Sequence, residues 1–220
     1  MSPLLKNAGW LPVLLVSALA GAGCDPLKNA NIVSGPVGTT PGQKYVVSFT
    51  PVNSNASASI AINYSNTNIM DVAQSFKLPL NSATASVNQI TLSLKAISST
   101  NQPVNGNVSV YLESDNNGPS GGILGSDSIN ADTISLTGFS NYIFSIPPVS
   151  ITPGQVYWIV VSASYPSNNT SYIEWAGAPV STLPAGFSIK TTNPTYPNQW
   201  VGPAVYSAAS EMVFGIGSSQ

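Results

Sequence analysis

The chain has 220 residues and contains neither histidine nor arginine, and a single cysteine, Cys24. Without histidine there is no Ser-His-Asp or Cys-His catalytic arrangement and no histidine-bearing zinc site. A lone cysteine has no partner for a disulfide. Charge is scarce as well. Six lysines and eight acids make up 6% of the residues and leave a net charge of −2, where typical domains are about a quarter charged. Phosphate backbones are held mainly by Lys and Arg, so nucleic acid is excluded as a partner. No basic amphipathic helix is offered to a membrane, and no stretch of a dozen residues carries a helical apolar stripe. Intrinsic disorder is disfavoured, because 43% of residues are hydrophobic.

The amino terminus holds what little the composition concentrates. One charge, Lys6, precedes the apolar run Trp10–Ala20, and the small residues Gly21-Ala22-Gly23 lead to Cys24. A basic start, a short apolar core and a small-residue exit are the three parts of an export signal. The run is shorter than the roughly 20 residues that a membrane-spanning helix needs. The sequence "LAGAGC" resembles the lipobox of bacterial lipoproteins, although Gly21 stands where an aliphatic residue is usual. The resemblance implies that residues 1–23 are a signal peptide and that Cys24 is lipidated, tying the protein to a lipid bilayer at the extracytoplasmic side of the cell envelope. Residues 24–42, "CDPLKNANIVSGPVGTTPG", mix Pro, Gly, Asn and Thr without periodicity and read as a flexible tether.

Residues 43–220 read as one all-β domain. Short strand-like segments recur at 45–49, 59–64, 73–78, 90–95, 108–113, 142–146, 172–175 and 211–216, several of them with period two. In 90–95, Ile90, Leu92 and Leu94 share one face while Thr91, Ser93 and Lys95 share the other. Segment 156–161, "VYWIVV", is continuously apolar and reads as a central strand with Trp158 in the core. Turn-rich stretches separate the segments. Thr40-Pro41-Gly42-Gln43 and Thr152-Pro153-Gly154-Gln155 each precede an apolar strand and fit type II turns, with glycine at the positive-φ position. Many short strands without helices predict an antiparallel two-sheet sandwich, jelly-roll-like.

The set "VAQSFKLP", "ITLSLKA", "VSVYLESDNNGPSGGILGS", "ITPGQVYWIVVSAS" and "YIEWAG", within residues 71–177, resembles the all-β module of "choice-of-anchor" surface proteins. Its most specific parts are the Asp-x-x-Gly-Pro-x-Gly hairpin at 115–121 and the "PGQVYWIV" strand. The resemblance implies a carbohydrate-binding-like jelly roll outside the cytoplasm, and no general activity.

Carboxylate pairs are the one catalytic device the composition permits, as in glycosidases. The candidates are Glu113, Asp115, Asp127, Asp132, Glu174 and Glu211. Asp115 opens a turn, where an Asp side chain ordinarily caps backbone N–H groups, so the reading is non-enzymatic and without a required cofactor. Glu113, Asp115 and Asn117 supply oxygens suited to calcium. Trp175, at a strand end, and Trp200 with Tyr196, in a Pro- and Asn-rich loop, are candidate sugar platforms: apolar ring faces with a few polar groups around them. A glycan such as polysaccharide, or another extracellular polymer, is therefore the expected ligand. The alternative is a structural envelope or matrix protein acting by protein–protein packing.

Overall fold

The computed structural model describes residues 43–49, 58–62, 71–119, 122–164, 170–179, 189–192, 200–201, 210–212 and 214–219. The expected signal peptide, the tether with Cys24, the first Thr-Pro-Gly-Gln turn and Tyr196 lie outside these residues. The described residues form thirteen strands: β1 (Gln43–Phe49), β2 (Ala58–Ile62), β3 (Val72–Lys77), β4 (Ala85–Ser98), β5 (Asn107–Ser114), β6 (Ile123–Asn130), β7 (Ser140–Ile151), β8 (Val156–Ala163), β9 (Ser171–Pro179), β10 (Ile189–Thr192), β11 (Trp200–Val201), β12 (Ser210–Met212) and β13 (Phe214–Ser219). Among the described residues the only helical element is a 3-10 turn, Ala131–Thr133.

The strands make an all-β sandwich of two antiparallel sheets. One runs β1-β13-β4-β9-β12, with β2 also on β9 and β7 also on β4; the other runs β11-β10-β3-β8-β5-β6. From β2 to β10 the chain passes between the sheets at nearly every step, staying within one sheet only at the β5–β6 hairpin. Each sheet turns the apolar half of its strands inward. Ile90, Leu92 and Leu94 on β4 are fully buried and face the core, as their period predicts. Val108, Val110 and Leu112 on β5 meet them from the second sheet, together with Ile159 and Val161 on β8. Phe76 stacks on Tyr157 with ring centroids 5.7 Å apart.

Polar contacts pin this frame at three places. Buried Gln74 on β3 donates from Nε2 to the Ser75 carbonyl, and its Oε1 accepts from the Met212 N–H of the opposite sheet at 3.0 Å. Asp127 on β6 accepts from the Ser145 N–H on β7 through Oδ2 at 2.6 Å and from the Ser128 N–H through Oδ1. Those two edge strands approach closely enough that a Cβ on Gly125 would stand 3.2 Å from Ile146 Cβ. The turn at 152–155 is the expected type II turn: Gly154 has φ +77° and the Gln155 N–H donates to the Thr152 carbonyl.

Three strands escape the sequence pattern. β6, "ILGSDSIN", buries only Gly125, and β10 and β11 are four and two residues long. β7 also continues past the predicted 142–146 through Pro147 and Pro148, which an edge strand tolerates because its outer side needs no donors.

Candidate functional site

β3 and β8 are buried on both faces. Their inward residues join the main core, whereas Ala73, Trp158 and Val160 form a second apolar cluster on the outer face of the six-stranded sheet. Trp158 is buried, as expected for a central strand, but it belongs to this outer cluster rather than to the core between the sheets. Tyr111, Val156 and Trp200 are half-buried and pack against the cluster. Trp200 reaches it from β11, which is joined to β3 through β10: Trp200 opposes Thr192, and Thr191 opposes Val72.

The register sets out the rest of this face. Tyr111 lies between Val160 on β8 and Ser126 on β6, Ser109 lies between Ser162 and Ser128, and Glu113 lies between Trp158 and Ile123. The face thus offers aromatic surface from Tyr111 and Trp200, serine hydroxyls along β5, β6 and β8, and an aliphatic rim at the exposed Ile123.

Two carboxylates complete it. Glu113 Oε2 is buried and accepts no hydrogen bond. Burial pushes the Glu113 pKa up to about 7, and the negative charge of Asp71 adds to the effect. Asp71, at the entry to β3, is itself raised by burial, with the hydrogen bond from Ser162 acting in the opposite sense. Asp71 was absent from the carboxylates the sequence singled out. The fold brings it within electrostatic reach of Glu113, and no local motif announces that meeting.

Asp115 caps its turn as expected. Oδ1 accepts from the Gly118 N–H at 3.1 Å, and also from Trp158 Nε1–H at 2.7 Å. Asn117, with φ 58°, occupies the left-handed region that Asn tolerates. With Asp115 Oδ1 engaged by two N–H donors, the 113–118 stretch is built as a hairpin turn. No three His, Cys, Asp or Glu side chains among the described residues are grouped to hold a metal. The remaining candidate carboxylates are dispersed. Asp127 sits at the β6–β7 corner, Asp132 in the 3-10 turn, Glu174 on the other sheet opposite Lys95, and Glu211 on β12.

Trp175 requires a correction. It is 0% exposed, on β9 beside Leu94, inside the main core, and it offers no ring face to a ligand. The alternation of Ile173 and Trp175 inward with Tyr172 and Glu174 outward carried that signal, but the short segment ended at a glycine and read equally as a strand end. Tyr111 was missed as a site residue because it looked like one more strand aromatic.

The Glu113 environment makes stability depend on pH. The folded state holds this proton more tightly than the unfolded chain does. The contribution is therefore full below the ordinary value of 4.5 and is lost as pH rises through about 7. Thermal melts between pH 5 and pH 8 are expected to show the wild type losing stability as pH rises, and Glu113→Gln showing a shallower loss. Parallel profiles for the two proteins would refute the assignment.

The sequence matches no model of a known protein family and no curated protein.

Proposed function

We propose that the chain is a non-enzymatic cell-envelope lipoprotein, anchored through Cys24, whose sandwich binds polysaccharide on the outer face of the six-stranded sheet. The observation that carries this reading is that Trp200 from β11 and Tyr111 from β5 pack, half-buried, against the same outer cluster. Sugar rings present C–H faces that stack on such aromatics, and the neighbouring Ser and acid oxygens suit their hydroxyls, the combination of apolar wall and few polar groups typical of small-ligand sites. A face already packed into place costs little ordering entropy when a ligand arrives. The likeness of residues 71–177 to choice-of-anchor modules supports the same extracytoplasmic role.

Trp200→Ala is expected to weaken binding about tenfold or more, each decade of affinity being about 1.4 kcal/mol. The measurement is tryptophan fluorescence and co-sedimentation of the full chain, in detergent, with a panel of polysaccharides with and without calcium. Saturable binding lost in Trp200→Ala, with an unchanged melting temperature, supports the reading. The absence of binding across the panel would sink it and favour protein–protein packing, for which Leu80, Ile123 and Leu124 are exposed apolar surface among the described residues.

A further inference from the structure

We infer that the outer sheet face accepts uncharged polysaccharides and turns away polyanionic ones, Asp71 and Glu113 acting as its selectivity filter. The inference rests on the glycan-binding reading and adds a substrate class to it. It starts from placement. Glu113 stands in the same row as Trp158 and Ile123, one position along β5 face from Tyr111, and so borders the aromatic surface on which a sugar would lie. A uronate or sulfate group on that sugar would bring a negative charge near the Glu113 carboxylate, whose Oε2 is buried and receives no hydrogen bond. A charge in such a setting is screened weakly, and like-charge contact there is costly.

Among the described residues, two lysines are the other charges on or beside this face. On β3 the face carries Asp71 at one end and Lys77 at the other, and β10 places Lys190 opposite Ala73. β8 contributes no charged residue between Val156 and Ala163, and Asp115 is bound to Trp158. Lys77 is two strands from Glu113 and a further row along, and Lys190 is three strands away. With strands about 4.8 Å apart, both backbones stand on the order of 10 Å or more from that of Glu113, as does that of Asp71, and of the three charges only Asp71 shifts the proton affinity of Glu113. The net charge of −2 has the same sign.

The test compares a neutral polysaccharide, a β-glucan or a mannan, with the carboxymethylated form of the same polymer. At pH 8 and low salt, the full chain is expected to bind the neutral polymer at least tenfold more tightly. Moving to pH 5.5, where Glu113 is protonated and carboxymethyl groups remain ionised, narrows the preference. So does Glu113→Gln at pH 8, with Asp71→Asn as the second variant, and so does 0.5 M salt (about a 4 Å Debye length). Equal binding of the two polymers at pH 8 overturns the inference and leaves the glycan reading standing. A preference that ignores pH, salt and both variants is steric and also overturns it. If neither polymer binds, the glycan reading fails first and the inference falls with it.

Discussion

Trp175→Ala is expected to lower the unfolding free energy by about 3–5 kcal/mol, the range for truncating a large buried aromatic. Few single changes in this protein should cost as much. Trp175 heads the fully buried side chains by volume. On β9 it stands between Leu94 of β4 and Ile60 of β2, in the middle of its sheet, so no loop can fold in to fill the space. Neighbouring strands are fixed by their ladders, and a cavity that cannot collapse costs most. Against a total of about 5–15 kcal/mol, such a loss brings a domain near its threshold. Urea denaturation of both proteins measures it, with an unchanged slope and a lower midpoint as the expected pattern. A loss below about 1 kcal/mol would show that the indole is not a core residue. The proposed polysaccharide site lies on the other sheet, so any binding there is expected to persist in the folded variant.

The second large effect is at Gln74. Its Oε1 is the acceptor for the Met212 N–H, 138 residues further along the chain, and both groups are buried. Gln74→Leu keeps the volume close and strands that N–H, which costs about 1–3 kcal/mol. Gln74→Glu is expected to be worse, because it brings an ionisable group into a buried site and removes the donor to the Ser75 carbonyl. Hydrogen exchange reads the difference directly. The Met212 amide should be strongly protected in the wild type and should exchange faster in Gln74→Leu than the loss of global stability accounts for. If its protection falls only in step with the global change, the cross-sheet bond contributes nothing of its own.

The two cases mark what was legible in the sequence. Strands that bury one face declare themselves: Ile90, Leu92 and Leu94, or Val108, Val110 and Leu112, alternate with polar residues because the pleat does. The sandwich followed from such segments. β6 did not, since it buries little beyond Gly125 and is held by its hairpin partner and by Asp127. The candidate site was half legible. Trp200 and Glu113 were singled out by type and context, while Asp71 acquired meaning only when the fold set its charge against Glu113. Trp158 was read as buried, but a continuous apolar run cannot say which residues face which layer. Its bond to Asp115, 43 residues away, shows the same limit. Contacts that join distant segments are written in three dimensions, and period alone does not encode them.

The corner where β6 meets β7 has a bearing on life at high density. Proteins crowded on a surface meet neighbours edge to edge, and an edge strand with open amides invites a copy of itself to extend the sheet. Here the two outermost strands of opposite sheets are committed to each other. One carboxylate, Asp127, occupies the Ser145 N–H that a newcomer would need. A copy arriving at this corner meets a negative group already hydrogen-bonded in place of a ladder rung. A single side chain thus helps keep close-packed molecules separate along that side.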